Sequence, residues 1–185
     1  VQQAEICFHG SFLATGKGHG TDRALVAGLL GLAVDDENIP NSFAIAAERN
    51  LTFSIHGIDL GDAHPNTVKM KLTGESGRTL EIVAASIGGG QIRICEIDGL
   101  TANFCGEYPT LIVHNLDQPG HVTEVTSMLA HKSVNIATMQ LYRDSRGGNA
   151  VMVIECDQEV PQEAIRWLEH LEGIEKVTYL SLEES

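Results

Sequence analysis

TLIVHNLDQPG (Thr110–Gly120) joins a β-branched apolar run to a turn that contains both proline and glycine. The run Thr110–His114 predicts a strand, and Asp117–Gly120 predicts the turn that ends it. Beyond the turn, the spacing of a helix face (i, i+3, i+4, i+7) recurs at Val122, Val125, Thr126 and Leu129. This part of the chain therefore begins as strand, turn and helix.

The same kind of pattern continues to the end of the chain. Two strands, Ile136–Tyr142 and Val151–Ile154, flank a turn at Ser145–Gly148. Pro161 then opens a helix at the position that tolerates proline best, Gly173 stops it, and Val177–Leu180 forms a last strand. The order β-α-β-β-α-β over about 75 residues is that of the ferredoxin-like fold.

The first half mixes strands with two helices. Ala4–Phe8 predicts a strand, and Thr21 as N-cap predicts a helix whose inner face carries Leu25, Leu29 and Leu32. Asn41 or Ser42 caps a second, short helix. Alternating apolar residues from Leu51 to Ile97 then predict an antiparallel sheet with both helices on one face. Gly88–Gly90 either binds an anion through its N–H groups or marks a bulge, and a bulge is the more common case.

Composition excludes several classes of function. The 185 residues carry a formal net charge of −13, whereas nucleic-acid binding needs clustered Lys and Arg. No apolar run is long enough to span a membrane. The cysteines, at positions 7, 95, 105 and 156, form no CxxC pair, so free thiols in a reducing cytoplasm are expected. The start at Val1, directly in strand-like sequence, suggests that the natural polypeptide begins earlier.

A glycine-rich loop is the strongest candidate for a site. TGKGHGTD (Thr15–Asp22) places the Lys17 ammonium and the His19 imidazole among three glycines ahead of a helix. Backbone N–H groups in such a loop suit a carboxylate or phosphate, and the imidazole can transfer a proton near neutral pH. The alternative is a strand-to-helix turn that binds nothing.

The second half resembles the ACT domain family, small modules that bind amino acids, often at dimer interfaces. The resemblance covers residues 109–180 and rests on the turn Asp117–Gly120 and on SVNIATM (Ser133–Met139). It implies effector-binding residues at Asn115, Asp117, Gly120, His121, Asn135 and Ile136. Some ACT domains bind no ligand and only pair with a partner, and this alternative stays open.

Four motifs ahead of the ACT-like part resemble the beta chain of the iron–sulfur-dependent L-serine dehydratase: Gly16–Ala24, Ile39–Phe43, His64–Thr67 and Ser86–Gly90. The resemblance implies an allosteric substrate-binding domain over residues 1–107, truncated at its N-terminus, and an ACT domain over 108–185. The expected fold is α+β, with an antiparallel sheet and flanking helices followed by the ferredoxin-like unit. It implies catalytic roles for His19, His64 and Asn66, and substrate-binding roles for Lys17, Gly18, Gly20 and Thr21.

The family's reaction converts L-serine to pyruvate and ammonia. The resemblance implies that a [4Fe–4S] cluster is held by a partner alpha subunit, that this chain alone is inactive, and that it forms a homodimer through either domain. The alternative is an amino-acid-sensing module such as the C-terminal part of some phosphoglycerate dehydrogenases. That alternative predicts a nucleotide-binding domain upstream, and no GxGxxG fingerprint is present in these residues.

Overall fold

The computed structural model describes residues 1–16 and 18–181 and divides the chain into two compact units. The first unit spans Val1–Gly99, and the second begins at Leu100. Both units combine a β-sheet with a few short helices, so the protein is α+β. The division of the chain into functional domains at residues 107 and 108 stays a prediction.

Helices occupy most of the connection between the first two strands of the first unit. Its elements are β1 (Gln3–Phe8), α1 (Gly10–Thr15), α2 (Thr21–Leu29), a 3₁₀ turn (Ile39–Asn41), α3 (Ser42–Glu48), β2 (Thr52–Gly57), β3 (Thr67–Thr73), β4 (Thr79–Gly88) and β5 (Gln91–Ile97). The strands follow the order β2-β1-β3-β4-β5 across the sheet.

The sheet of the first unit is mixed, and the prediction of an antiparallel sheet is wrong at one pair of strands. β1 and β2 run parallel, in register from Gln3 opposite Thr52 to Phe8 opposite Gly57. The remaining neighbours are antiparallel. The cause lies in the connection, because parallel neighbours need a long crossover and α1, α2 and α3 supply it.

The alternation of β1 divides the first unit into a packed face and an open face. Ala4, Ile6 and Phe8 are buried against α2 and α3, where Val26 and Ala46 are fully buried. The residues between them, Glu5 and Cys7, lie on the opposite side of the strand, as the period of two requires. The helices therefore cover only one face of this sheet in the first unit.

The run Gly88–Gly90 ends β4 and turns the chain into β5. The three glycines have φ values of 92°, 64° and 79°, a region that residues with a Cβ rarely adopt. Gly89 and Gly90 form the two-residue turn of the hairpin, and the strand register shifts beside it, between Ser86 and Gly88.

The second unit is built around two buried central strands. Its elements are β6 (Leu100–Phe104), β7 (Thr110–Leu116), α4 (His121–His131), β8 (Ile136–Arg143), β9 (Asn149–Cys156), α5 (Gln162–Leu168) and β10 (Ile174–Leu180). Its sheet has the strand order β10-β7-β9-β8, with every neighbouring pair antiparallel. Of the helices in the described residues, none is long and apolar enough to cross a membrane.

The core of the second unit lies between its sheet and the two helices. Leu111 and Val113 of β7 contribute to it, and Leu129 of α4 and Leu168 of α5 are fully buried in the same cluster. Of the stripe predicted for α4, Val125 and Leu129 are fully buried here, whereas Val122 is 41% exposed and Met128 joins the core instead. Packing on this face therefore stabilises both helices.

Candidate functional site

The glycine-rich loop connects α1 to α2 and is closed by its own backbone. The N–H of His19 donates to Thr15 O (3.1 Å), and the N–H of Thr21 donates to Gly16 O (2.9 Å). The N-cap of α2 is Gly20, with φ 71°, so the predicted N-cap at Thr21 is one residue late. The His19 side chain is exposed to solvent, and Lys17 lies outside the described residues.

An acidic side chain of the chain itself lies at the start of α2. Asp22 is buried, and its Oδ1 accepts the N–H of Arg23 at 2.8 Å. A carboxylate here favourably offsets the positive end of the helix dipole. The N–H groups of Thr21 and Arg23 are therefore bonded within the chain, and the substrate-binding roles of Gly18, Gly20 and Thr21 stay a prediction.

Arg23 connects the glycine-rich loop to the second of the four motifs. Its Nη1 donates to Pro40 O, and its guanidinium lies 5.3 Å from the centre of the Phe43 ring. Ser42, which is fully buried, donates its hydroxyl to Arg23 O (2.9 Å). The motif Ile39–Phe43 thus holds the start of α2 against α3.

The His64-Pro65-Asn66-Thr67 turn fixes the imidazole of His64 in one tautomer. His64 Nδ1 accepts the backbone N–H of Asn66 (3.2 Å), and His64 O accepts the Thr67 hydroxyl (2.6 Å). Because Nδ1 uses its lone pair in this bond, a neutral ring carries its proton on Nε2. His64 is exposed and therefore offers an N–H donor, and Asn66 orients it through its backbone.

A cleft of about 370 Å³ in the first unit is lined by His64, together with Asp62, Lys69, Cys95 and Glu96. Lys69 Nζ is 2.8 Å from Glu81 Oε1, and this hydrogen bond raises the pKa of Lys69. Burial raises the pKa of the Cys95 thiol. The cleft thus presents the His64 N–H donor, the Lys69 ammonium in its ion pair with Glu81, and the carboxylates of Asp62 and Glu96.

The short helix α1 connects the turn that contains His64 to the loop that contains His19. At the start of α1, the N–H groups of Ser11 and Phe12 donate to Pro65 O (2.6 and 3.4 Å), and its last residue, Thr15, leads into the glycine-rich loop. Six residues of α-helix rise about 9 Å. In the described residues no hydrogen bond or ion pair joins His19 to His64 or Asn66.

In the second unit, two buried polar atoms on either side of the loop between β7 and α4 have no partner in the described residues: Asn115 Oδ1, near the end of β7, and His121 Nε2, at the start of α4. Asn115 is 3% exposed and donates its amide to Leu116 O (2.6 Å). His121 is 7% exposed, and its Nδ1 lies 3.2 Å from Glu124 Oε2. Gly120, with φ 111°, is the N-cap between them. Buried polar atoms are normally hydrogen-bonded, so these two atoms make the region a candidate for ligand binding.

Asp117 is held by the hairpin between β8 and β9. Its Oδ2 accepts the N–H of Gly147 (3.0 Å) and a hydrogen bond from Arg143 Nη1 (2.9 Å). The Gly147 N–H, followed by Arg143, holds the pKa of Asp117 below its usual value. Asp117 therefore ties the β7–α4 loop to the hairpin.

Asn135 and Ile136 lie at the other end of β8. The amide of Asn135 donates to Asp157 Oδ2 (2.6 Å), and Ile136 begins the strand, whereas the partner of Asp117, Arg143, ends it. Seven residue steps along a strand span about 23 Å. One copy of the chain therefore brings Asn115, Asp117, Gly120 and His121 together but leaves Asn135 and Ile136 far away.

The four cysteines are free thiols distributed over both units. Within residues 1–16 and 18–181, no three His, Cys, Asp or Glu side chains lie close enough together to hold a metal ion. Burial raises the pKa of Cys156 to about 11. The described cysteines therefore do not fit the ligand set of an iron–sulfur cluster.

Sequence comparisons identify the relatives of this chain, although no protein-family model matches it. A probable L-serine dehydratase beta chain from Bacillus subtilis (strain 168) is 36% identical over 176 residues, which cover 95% of this chain and 80% of the relative. The L-serine dehydratase beta chain of Peptoniphilus asaccharolyticus is 36% identical over 161 residues, covering 86% and 72%.

A second group of relatives shares the same region at lower identity. The D-3-phosphoglycerate dehydrogenase of Methanocaldococcus jannaschii is 29% identical over 183 residues, which cover 98% of this chain but only 34% of that enzyme. The dehydratase relatives match at higher identity and over most of their own length. This chain belongs to the family of L-serine dehydratase beta chains.

Proposed function

We propose that this chain forms part of the substrate site of an L-serine dehydratase and that a partner alpha subunit completes that site. The observation that carries the proposal is the His64 turn, which fixes an exposed imidazole as an N–H donor at the edge of a cleft. A volume of about 370 Å³ lies in the range of small-molecule sites. The dehydratase relatives support the choice of L-serine as the substrate.

In this proposal His64 assists the loss of the hydroxyl group. Conversion of L-serine to pyruvate and ammonia requires removal of the α-proton and departure of the hydroxyl as water. A donor within hydrogen-bond reach of the hydroxyl stabilises the charge that develops on its oxygen. His64 Nε2–H supplies that donor, and the exposed imidazole of His19 is the candidate for proton transfer.

We place the [4Fe–4S] cluster of the proposed enzyme in the alpha subunit. The described residues of this chain do not fit a cluster, since its cysteines are distributed over both units and no three metal-binding side chains converge. This chain's contribution is then the binding and orientation of the substrate.

The first prediction concerns activity with and without the partner. The purified chain alone is expected to show no pyruvate formation from L-serine, and addition of the alpha subunit under anaerobic conditions is expected to restore it. Pyruvate release, followed by a coupled lactate dehydrogenase assay, measures both states. Turnover by this chain alone at the rate of the mixture would contradict the division of labour.

We propose a second role, the binding of an amino-acid effector by an ACT domain in the second unit. It is favoured by Asn115 Oδ1 and His121 Nε2, two buried atoms that have no hydrogen-bond partner in the described residues. The strand order β10-β7-β9-β8 and the order β-α-β-β-α-β support the assignment as an ACT domain. Since Asn115 and Asn135 lie at opposite ends of the unit, we propose that two copies share each site. β8 is an edge strand, as is β10, and antiparallel pairing of two β8 strands would place the Asn135 end of one copy beside the end of the other at which Asn115 lies.

The effector proposal predicts a specific result for mixed dimers. Asn115→Ala and Asn135→Ala are each expected to abolish L-serine binding by the homodimer, measured by isothermal titration calorimetry. A mixed dimer of the two variants retains one site built from two unaltered residues, and half of the wild-type stoichiometry is expected. If wild-type chain binds L-serine but the mixed dimer does not, the two copies do not share the site.

A further inference from the structure

The loop between β2 and β3, which contains His64, is held by the residues that follow β1. The N–H of Ile58 donates to Phe8 O (2.9 Å), and the N–H of His9 donates to Thr67 O (3.0 Å). These two bonds fix both ends of the loop. Between them, the Ser11 N–H reaches Pro65 O at 2.6 Å.

Gly10 lies so near the turn that a side chain would not fit between them. Its φ is 55°, and a Cβ built on it would lie 2.7 Å from Pro65 O and 2.9 Å from Pro65 Cα. Both contacts are with backbone atoms, so no side chain can rotate away to make room. Any residue other than glycine must therefore displace Pro65, which immediately follows His64.

The His9 imidazole holds the same loop at a second point. His9 is 9% exposed, and its Nδ1 accepts the backbone N–H of Leu60 at 3.1 Å. The acceptor atom needs its lone pair, so the neutral ring carries its proton on Nε2. Among the ion pairs of the described residues, the acidic neighbour of the His9 imidazole is Asp59, whose Oδ1 lies 4.0 Å from His9 Nδ1.

We propose that Gly10 and His9 are positioning residues for His64. Gly10 sets the distance between the start of α1 and Pro65, and His9 fixes the preceding part of the loop through Leu60. Together they determine where His64 Nε2–H points relative to the cleft. This inference rests on the proposed role of His64 in the reaction. Gly10 and His9 themselves contact neither the substrate nor the alpha subunit in that proposal.

The test compares two glycines with the same backbone requirement. Gly31 has φ 77°, and a Cβ built on it meets nothing within 4 Å, so Gly31→Ala carries the backbone strain without the clash. In the reconstituted complex, Gly10→Ala is expected to lower kcat about 100-fold, the effect of a displacement near 1 Å, with a smaller change in KM. Gly31→Ala is expected to leave kcat unchanged.

A spectroscopic readout on the full chain separates this inference from the proposed function. Long-range ¹H–¹⁵N correlation spectra report the tautomer of each imidazole. Gly10→Ala is expected to weaken the Asn66 N–H···Nδ1 bond and to mix the tautomers of His64, whereas Gly31→Ala retains the Nε2–H form. Unchanged His64 signals in Gly10→Ala overturn the inference, whether or not the complex is active. Inactivity of the wild-type complex with the expected spectra overturns only the proposed function.

Variants of His9 give an independent test if Gly10→Ala does not fold. Asn places its Oδ1 near the position of the His Nδ1 and preserves the acceptor for Leu60 N–H, whereas Leu removes it. His9→Asn is expected to retain most of the wild-type kcat, and His9→Leu is expected to lose at least about 10-fold. Equal activities of these two variants would show that His9 acts only by filling space.

Discussion

His64→Ala in the reconstituted complex is expected to lower kcat by about 10²- to 10⁴-fold, the usual contribution of a positioned acid or base. The turn holds Nδ1 on the Asn66 N–H, so the side chain has one free function, the Nε2–H donor. Its removal leaves the developing charge on the substrate oxygen without a partner. Initial rates of pyruvate formation over a range of L-serine concentrations separate the effect on kcat from that on KM.

The amide variants of His64 distinguish hydrogen bonding from proton transfer. Gln places an N–H donor near the position of Nε2, and His64→Gln is expected to recover much of the activity if hydrogen bonding is sufficient. If a proton must move from Nε2, His64→Gln stays as slow as His64→Ala. Wild-type kinetics in His64→Ala would show that His64 is not part of the site. The same assay on His19→Ala tests whether the exposed imidazole of the glycine-rich loop takes part in the reaction.

Leu129→Ala is expected to destabilise the second unit by about 3 to 4 kcal/mol. Leu129 is 0% exposed and belongs to the cluster formed by α4, α5 and the sheet, so its truncation leaves a cavity lined by rigid neighbours. For a unit of this size, the loss corresponds to a decrease in Tm of more than about 10 °C. Differential scanning calorimetry measures the decrease.

Val122→Ala provides the matched control for the core variant. Val122 belongs to the same helix as Leu129 but is 41% exposed, so its truncation creates no closed cavity. A change of less than about 1 kcal/mol is expected. Equal losses of unfolding free energy in the two variants would mean that α4 does not pack on the sheet as described.

The regular elements of the second unit could be predicted because local signals agree with their burial. In α4, Val125 and Leu129 of the predicted stripe contact the core, whereas Val122, the first residue of that stripe, is exposed. Glycine and proline also mark the ends of the elements: Gly120 is the N-cap of α4, and Pro161, predicted at the first helical position, is the N-cap of α5, one residue before the helix begins. In each case the backbone preference and the side-chain packing select the same structure.

The arrangement of the first unit depends on contacts that short sequence windows do not contain. The strand pattern of β1 and β2 is the same in a parallel and an antiparallel pair, and only the path of the connecting helices makes them parallel. α1 was missed because six residues give too few turns for a periodic signal. The proximity of Gly10 to Pro65 joins residues that are 55 positions apart in the sequence.

For the histidines of the candidate site, too, the sequence predicts some features and only the structure shows the others. His64 and Asn66 stand out in the sequence because they flank a proline, but the backbone contact that selects the tautomer is visible only in three dimensions. His9 has no distinguishing neighbours except the glycine that follows it. Its burial and its bond to Leu60 come from the return of the chain after β2.

The length of α1 has a consequence for how this family tolerates insertions and deletions. The N–H groups of the first turn of the helix donate to Pro65 O, and the glycine-rich loop begins at the last residue of the helix, Thr15. Inserting a single residue between these points would turn the loop by about 100° around the helix axis and shift it by about 1.5 Å. A change in the number of residues in this segment would therefore displace His19 relative to Pro65, whereas exchange of its outward-facing side chains would not.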